Sequence, residues 1–281
     1  MSDGQIGPGR DRSAGDAAEL ARGHGLDPAG VTLDHLLGRR VALFQARNGY
    51  RAAVDPVLLA AAVPAAPGQR VLDLGLGAGA AALCLAARVP GISLVGIERD
   101  AAAAALARAN AVLNGADLAV VEADVGGRAT HASDPRGLSF DHVLTNPPYL
   151  ELGRADPPPD GGRRAAHVEA GIGLGGWIAA GLRRLKPGGS ITIVMRADRL
   201  DVVLTALSGP AGDIRVLPVY TVADGRPAKR VIVQAVKGRR TPLSLLAPLV
   251  LAAQGRAWLP VARAVLEDAA PLVLDPRAVR G

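Results

Sequence analysis

Residues 71–79 read Val-Leu-Asp-Leu-Gly-Leu-Gly-Ala-Gly, and this run decides the fold class of the 281-residue chain. Its first four residues form a short apolar run that is typical of a buried strand. Three glycines then alternate with Leu76 and Ala78, and a helix-like stretch follows at 80–88. Glycine is needed where the backbone must turn sharply and approach a ligand, and the start of the next helix presents unpaired N–H groups. The run therefore predicts a strand, a ligand-binding turn and a helix.

The chain on both sides of this motif alternates between strand-like apolar runs and helix-like segments. Such alternation is typical of a parallel sheet with helices on both faces. Two later apolar runs, 213–220 and 230–237, have no helix-like segment between them, so they predict an antiparallel pair that closes the sheet. The other predicted strands are 70–74, 93–98, 118–123, 141–145 and 190–195, and the predicted helices are 79–88, 101–113, 168–185 and 198–207. The expected fold class is α/β, with a mixed, mostly parallel sheet.

The segment before this core has a weaker pattern. Residues 1–16 are polar and rich in glycine, which predicts disorder. Residues 17–38 are weakly helical in pattern, and residues 40–52 favour a strand or a hairpin. Asp55 followed by Pro56 predicts a helix start, because aspartate caps helix N-termini and proline suits the first helical position. The expected units are the N-terminus, an extension that contributes to the site, the core domain and an apolar C-terminal extension, with bounds 1–16, 17–68, 69–240 and 241–281.

Three carboxylates follow the predicted strands around the glycine run. Asp73 precedes the glycines, Glu98 ends the second strand, and Asp124 ends the third. The glycine spacing also satisfies the pattern of dinucleotide-binding loops, but three carboxylates would repel a pyrophosphate. S-adenosylmethionine has no phosphate and carries a sulfonium and an ammonium. The carboxylates therefore favour S-adenosylmethionine over NAD.

The tetrapeptide Asn146-Pro147-Pro148-Tyr149 closes the predicted strand at 141–145. Two prolines stiffen the backbone, so the side-chain oxygen of Asn146 and the carbonyl of Pro147 can accept hydrogen bonds from one planar –NH2 group. Tyr149 offers an aromatic face on which a flat group can stack. This arrangement suits an enzyme that makes a conjugated amino nitrogen more nucleophilic. Taken alone, the run is equally compatible with a strand that ends in a proline turn.

With these motifs the chain resembles the class I S-adenosylmethionine-dependent methyltransferases that carry Asn-Pro-Pro-Tyr. More narrowly, it is similar to the bacterial tRNA adenine-N6 methyltransferases that act beside the anticodon of valine tRNA. The narrower match rests on Gly-Tyr-Arg at 49–51, then Asp55, then Leu-Leu-Ala at 58–60, and the resemblance covers roughly residues 35–240. The chain departs from the family at Leu76, where a small polar residue or Cys is common, and at Ala46, where Pro is expected.

This resemblance implies a Rossmann-like sheet of seven strands with a terminal hairpin, and it assigns roles to particular residues. S-adenosylmethionine would be the cofactor, and the tetrapeptide would be catalytic. The implied cofactor-binding residues are Asp73, Gly75, Gly77, Gly79, Glu98, Asp124 and, near the cofactor carboxylate, Asp55. The implied catalytic residues are Asn146, Pro147, Pro148 and Tyr149.

The charge balance favours a polyanionic partner. The chain has 32 Lys and Arg residues against 26 Asp and Glu residues, with a net charge of +6. Basic residues crowd both ends of the core, and ordinary solvated charge is the competing interpretation. RNA, and tRNA in particular, is the expected partner. The candidate RNA-binding residues are Arg47, Arg51, Lys229 and Arg230.

Other features indicate the cellular setting. A single cysteine, Cys84, excludes a disulfide framework, and we expect a packed thiol there rather than a nucleophile. The apolar runs at 56–66 and 243–253 are too short to span a bilayer, and residues 1–16 contain no apolar signal segment. A cytoplasmic enzyme with no membrane partner and no metal is expected, and the sequence leaves its oligomeric state open.

Several other functions compete with the tRNA hypothesis. Protein-glutamine methyltransferases carry the same tetrapeptide, because a glutamine amide is also a conjugated –NH2 group. They resemble one another in a helical N-terminal domain, whereas the segment before this core is Arg-rich and largely non-helical in pattern. Adenine in DNA and guanine in rRNA are further possible acceptors. A non-catalytic RNA-binding relative is disfavoured, because every implied site residue is present.

Overall fold

A computed structural model of the protein describes residues 14–48, 51–127, 139–148, 162–253 and 257–275. Residues 1–13 and the segment 149–161, which includes Tyr149, lie outside these ranges. The expected disorder of residues 1–13 and the role of Tyr149 therefore stay predictions, whereas residues 14–16 belong to a helix and the disorder expected for them is wrong.

Seven helices and eleven strands lie in the described ranges. The helices are α1 Ala14–Gly23, α2 Val54–Ala62, α3 Ala80–Arg88, α4 Ala101–Asn114, α5 Gly162–Arg184, α6 Leu200–Leu207 and α7 Pro260–Leu266. The strands are β1 Val31–Leu36, β2 Val41–Ala46, β3 Arg70–Leu74, β4 Ser93–Glu98, β5 Leu118–Glu122, β6 Phe140–Thr145, β7 Leu185–Arg196, β8 Ala211–Val222, β9 Arg230–Lys237, β10 Ser244–Leu245 and β11 Leu249–Ala252.

The main sheet has the order β5-β4-β3-β6-β7-β9-β8-β10, with β11 also paired to β8. Strands β3 to β7 are parallel to one another, and β9 is antiparallel to both β7 and β8. The expected α/β class and the closing antiparallel pair are confirmed. Within the described residues, β10 and β11 extend the expected seven strands, since both pair in parallel with β8.

Successive residues of the central strands face opposite sides of the sheet, as the two-residue period of a strand requires. Val71 and Leu144 pack into the core under α2, α3 and α7. Leu72 and Val143 pack into the core under α5 and α6. The central strands are therefore apolar on both faces, which is typical of parallel sheets covered by helices on both sides. The buried polar side chains inside these strands have partners, as Gln234 of β9 donates to the hydroxyl of Thr192 of β7 at 3.3 Å.

Two expectations for the N-terminal extension were wrong in detail. Residues 17–38 are helical only in α1, and residues 31–36 form β1, which pairs antiparallel with β2. Helix α2 begins at Val54, so Asp55 lies inside its first turn and does not cap it. Both oxygens of Asp55 lie close to Nε of Arg230, at 2.6 and 2.8 Å. The carboxylate of Asp55 therefore binds a residue that is distant in sequence, whereas the sequence pattern predicted that it caps the helix.

The β1–β2 hairpin is attached to α4 by two asparagines. Asn114 accepts a hydrogen bond from the backbone N–H of Ala42 at 3.0 Å and donates one to the carbonyl of Ala42 at 2.7 Å. Asn110 does the same for Phe44, at 2.7 and 2.9 Å. Asn110 is fully buried, so its hydrogen bonds are made without competing water. The hairpin is therefore fixed to the core domain.

Candidate active site

Four of the candidate residues lie along one edge of the sheet. Strands β6, β3, β4 and β5 are parallel neighbours, so their carboxyl ends meet at the same edge. Asn146 directly follows β6, Asp73 lies near the end of β3, Glu98 ends β4, and Asp124 comes two residues after β5. Ligands of open α/β sheets bind at this edge. The structure therefore brings together the side chains that the sequence singled out as separate strand ends.

The glycine turn between β3 and α3 depends on backbone conformations that suit glycine. Gly75, Gly77 and Gly79 have φ angles of 75°, 56° and 88°, in the left-handed region. Gly79 precedes the first residue of α3. The backbone N–H groups of Gly75 and Leu76 both donate to the carbonyl of Ile97 at 3.0 Å, which ties the turn to β4.

Leu76, a departure from the family pattern, has a packing reason. Its side chain is buried and occupies the space that a Cβ on Gly96 would need. Gly96 lies in β4, so a large residue in the turn is matched by a missing side chain in the strand below it. The departure therefore changes the packing under the turn, and the backbone of the turn keeps its left-handed conformation.

Glu98 is held in place by three backbone donors. Its Oε2 accepts from the N–H of Gly77 at 2.8 Å, and its Oε1 accepts from the N–H groups of Arg99 and Asp100 at 2.8 Å each. The side chain is half-buried. A carboxylate fixed in this way retains one acceptor position for a ligand, on Oε2, since two carboxylate oxygens offer about four acceptor positions and three are used.

Asp73 is the most perturbed acid of the candidate site. Burial, followed by the charge of Glu98, raises its pKa to about 7, against a smaller opposing effect of the Ala82 N–H. Only 3% of its surface is exposed. Among the described residues no Lys, Arg or His side chain forms an ion pair with Asp73, and the neighbouring charge that acts on it is the negative one of Glu98. A cationic ligand fits this place, and a pyrophosphate does not.

Asp124 is more exposed than the other two acids. Its Oδ1 accepts from the N–H of Gly126 at 2.8 Å, and its Oδ2 lies 3.7 Å from a guanidinium nitrogen of Arg99. The turn that follows β5 therefore has a fixed carboxylate next to the end of β4.

Comparison with known proteins identifies the family. Residues 52–159 match the family described as the methyltransferase small domain. A tRNA1(Val) (adenine(37)-N6)-methyltransferase from Dickeya chrysanthemi is 31% identical over 208 residues, which are 72% of this chain and 78% of that protein. The chain belongs to the methyltransferase family of this relative. It is an S-adenosylmethionine-dependent methyltransferase, and the expected enzyme and cofactor class are confirmed.

Two further proteins are similar to this methyltransferase. A release factor glutamine methyltransferase from Chlorobaculum tepidum is 29% identical over 180 residues, which are 59% of each chain. The crystal structure of a protein from Agrobacterium tumefaciens, described as a predicted O-methyltransferase, superposes with a TM-score of 0.63 at 28% identity. The superposition covers 78% of this chain and 98% of the Agrobacterium protein. The latter supports the class I fold.

The end of β6 is linked to the glycine turn by a side chain that sequence reasoning missed. Thr145 is fully buried, and its hydroxyl donates to the carbonyl of Leu74 at 2.7 Å. It also accepts from Nε1 of Trp177, on α5, at 2.9 Å. Asn146 is half-buried next to Thr145, and Pro147 is buried. A lone Trp in a glycine-rich stretch was the available sequence signal, but its partners could not be read from it.

A second missed residue supports the turn from the opposite side. The Nδ2 of Asn110 donates to the carbonyl of Ala78 at 2.9 Å, in addition to its bonds to Phe44. The methyltransferase therefore holds its glycine turn and its N-terminal hairpin through one buried amide.

The candidate RNA-binding residues have the following places. Arg47 donates to the carbonyls of Ala29 and Val31, and Arg51 forms an ion pair with Asp34 at 2.7 Å. Arg230 is paired with Asp55, as described above. Lys229 is exposed in the connection that leads into β9. Both groups of basic residues keep exposed charge, and the roles proposed for them stay predictions.

The rest of the described chain adds three observations. Burial raises the pKa of the Cys84 thiol to about 12, as expected for a packed cysteine. Across the ranges that the structure describes, no helix is long and apolar enough to cross a bilayer. In the same ranges no three potential metal ligands of the His, Cys, Asp or Glu type come together.

Replacing Glu98 by Ala is expected to weaken cofactor binding by about 1–3 kcal/mol, because charge-assisted hydrogen bonds to the ribose would be lost. Calorimetric titration with S-adenosylmethionine measures the change. Glu122→Ala is the matched control, since Glu122 pairs with Glu98 in register on β5 and makes only a loose contact with Arg108 at 3.7 Å. Equal affinity of Glu98→Ala and wild type would remove Glu98 from the cofactor site.

Proposed function

We propose that this methyltransferase transfers a methyl group from S-adenosylmethionine to the exocyclic N6 amine of an adenine in tRNA, at position 37 of valine tRNA. The observation that carries the proposal is the place of Asn146 and Pro147, at the end of β6 and beside the glycine turn of β3. The specific substrate is supported by the similarity to the tRNA1(Val) (adenine(37)-N6)-methyltransferase that is 31% identical.

The chain's own residues would hold the cofactor from three strands. Asp73 would take its ammonium, Glu98 its ribose hydroxyls and Asp124 the edge of its adenine, while the glycine turn makes room for it. When bound, the cofactor supplies an electrophilic methyl group on a positively charged sulfur. Asp55, which the resemblance also implies near the cofactor carboxylate, lies in the first turn of α2 and forms an ion pair with Arg230.

The acceptor amine would be activated by position rather than by a base. The lone pair of an adenine amine is delocalised into the ring, which makes the nitrogen a poor nucleophile. Asn146 and the carbonyl of Pro147 would accept both of its N–H bonds and favour a pyramidal nitrogen. Pro148 stiffens the segment, and Tyr149 would stack on the base. The methylated nitrogen loses its extra proton readily, so orientation and fixed dipoles supply most of the rate.

A tRNA would approach along the basic residues that follow the hairpin and begin β9, which the Asp55–Arg230 ion pair brings near each other. Arg47 and Arg51 follow the hairpin, and Lys229 and Arg230 lie where β9 begins. Bases of an anticodon loop are already partly unpaired, so extruding one costs less than in a duplex. A cytoplasmic location is part of the same proposal.

Charge reversal of Lys229 to Glu is expected to weaken tRNA binding roughly tenfold, because a phosphate contact would be lost. The slope of log binding constant against log salt concentration should become shallower by about 1–2. Cofactor affinity should not change. Arg108→Glu is the control, because it makes the same change of charge on α4 near β5. Strand β5 lies at the opposite end of the strand order from β9. Filter binding of tRNA at several salt concentrations compares the two variants, and equal effects would indicate that only net charge matters.

A glutamine acceptor is the second candidate. The supporting observation is the similarity to the release factor glutamine methyltransferase, which covers 59% of that protein. Its substrate group is also a conjugated amide –NH2, so Asn146 and Pro147 could hold it in the same way. The tRNA proposal is favoured because similarity to the adenine methyltransferase extends over 78% of that protein.

One assay separates these functions. The purified enzyme is given total tRNA, rRNA, duplex DNA and a Gly-Gly-Gln peptide with a methyl-labelled cofactor. We expect label in tRNA, recovered as N6-methyladenosine after digestion, and loss of label when position 37 of a valine tRNA transcript is changed from adenosine to guanosine. Label in the peptide alone would establish the glutamine function, and label in DNA or rRNA alone would reject the tRNA substrate.

A further inference from the structure

The indole ring of Trp177 contacts both the glycine turn and the end of β6, which precedes Asn146. A Cβ built on Gly75 would come within 2.8 Å of Cζ2 and 3.2 Å of Cη2 of Trp177. The six-membered part of the indole therefore occupies the space that a side chain at Gly75 would need. Gly75 is the first residue of the glycine turn, so the ring of Trp177 packs directly against the start of this turn.

The same indole is connected to the residue before Asn146. Its Nε1–H donates to Oγ1 of Thr145 at 2.9 Å, and the Thr145 hydroxyl donates to the carbonyl of Leu74 at 2.7 Å. Thr145 and Leu74 are also paired in register between β6 and β3. The chain of hydrogen bonds thus joins the residue before Asn146 to the residue before Gly75.

The direction of these hydrogen bonds is fixed by chemistry. An indole nitrogen can only donate, and a hydroxyl has one hydrogen to donate. Because Thr145 donates its hydrogen to Leu74, it must accept from Trp177. Thr145 is fully buried, so a lost partner would leave a buried polar group unsatisfied. Its branched Cβ also restricts the side chain to few rotamers.

We propose that Trp177 is a positioning residue that fixes the separation between the glycine turn and Asn146, and thereby aims the acceptor amine at the methyl group. The inference rests on the proposed role of Asn146. A displacement of about 1 Å in such a pair can cost roughly 100-fold in rate, since the reaction needs a near-attack geometry. Its effect on the reaction passes through its contacts with Thr145 and Gly75.

The first test is a double-mutant cycle. Trp177→Phe removes the N–H donor, and Thr145→Val removes the hydroxyl. Each should lower kcat about tenfold or more and leave the KM values for both substrates within about threefold, and the double variant should be no slower than the slower single variant, because the two residues act as one unit. The acceptor is whichever substrate the wild type labels best, so a wrong substrate assignment does not affect the result.

Two control variants separate positioning from folding. Trp258→Phe makes the same substitution at the chain's other tryptophan, which packs between β11 and α7, and it should retain full activity. Thr145→Ser keeps the hydroxyl and should recover most of the kcat that Thr145→Val loses. Wild-type kcat in Trp177→Phe, multiplicative losses in the double variant, or a loss explained by the unfolded fraction in thermal melts would each overturn the proposal.

A spectroscopic test needs no acceptor at all. Since the chain has two tryptophans, Trp258→Phe leaves Trp177 as its only indole. Addition of S-adenosylmethionine should change the emission of this variant, because the ring lies against the glycine turn, and should not change the emission of Trp177→Phe. If both variants respond alike, Trp177 does not sense the turn and the inference fails, whichever acceptor the enzyme uses.

Discussion

Replacement of Asn146 by Ala is expected to lower the methylation rate by about 100- to 1000-fold, which is the usual cost of removing one preorganised polar group from a transition state. The side-chain oxygen of Asn146 is one of the two acceptors proposed for the amine. The change leaves Asp73 and Glu98 in place, so the affinity for S-adenosylmethionine should stay within about twofold. Single-turnover rates and calorimetry measure the two quantities separately.

Asn48→Ala provides the control for this substitution, because Asn48 is exposed after β2 and the same side chain is removed there. It should retain wild-type turnover. A rate for Asn146→Ala within tenfold of wild type would show that the amine is not activated through this amide. A parallel loss of cofactor affinity would instead assign Asn146 to cofactor binding.

Replacement of Asp73 by Asn should stabilise the cofactor-free enzyme at alkaline pH. The pKa of Asp73 is raised from 3.8 to about 7, so between these values the folded state keeps a proton that the unfolded state has lost. Stability therefore falls as pH rises from 4 towards 7, and it levels off above 7. Between about pH 5 and pH 8 the wild type should lose about 3 kcal/mol of unfolding free energy that the variant retains.

The same substitution should weaken the binding of the cofactor. An ammonium is held by the charged carboxylate, so wild-type affinity for S-adenosylmethionine should increase as pH rises through 7. Asp73→Asn should bind roughly 10- to 100-fold more weakly at pH 8 and lack this pH dependence, because a charge-assisted bond contributes about 1.5–3 kcal/mol. Denaturant titrations and calorimetry over the same pH series test both effects.

Asp100→Asn is the control for this pair of measurements, because it makes the same substitution at an exposed side chain and keeps the backbone N–H that holds Glu98. Asp100 caps α4 by accepting from the N–H of Ala103 at 2.9 Å and is exposed. Asparagine also caps helices well, so the replacement should give the wild-type dependence of stability and cofactor affinity on pH. If Asp73→Asn behaves in the same way, Asp73 is charged throughout this range and does not hold the cofactor.

Much of the fold could be predicted because its strands carry their own signals. The predicted bounds 93–98 and 230–237 are those of β4 and β9, which are mostly apolar between polar ends, with Gln234 as the one polar residue inside β9. The error in 17–38 has a non-local cause, because β1 is a strand through its pairing with β2. The alternation of apolar and polar residues over Val31-Thr32-Leu33-Asp34 was the local signal that could have indicated this strand. The short strands β10 and β11 likewise depend on the free edge of β8.

Some residues of the candidate site could likewise be predicted from the sequence, and others could not. Asp73, Glu98 and Asn146 could be found because each lies at the end of a recognisable strand, and the fold rule for parallel sheets places strand ends together. Trp177 could not, since its partner Thr145 is 32 residues away in sequence. Asn110 lies 66 residues from Phe44, and nothing in a helical pattern of small residues marks it as a backbone partner.

The two asparagines of α4 also protect the molecule against self-association. Residues four apart on a helix are separated by about 6 Å, and residues two apart on a strand by about 6.7 Å, so one helix face can serve alternate residues of a strand. Asn110 and Asn114 use this match to occupy the outward N–H and C=O groups of Phe44 and Ala42. A bare strand edge is a template for aggregation with other chains. Side-chain amides close that edge in β2 without a further strand.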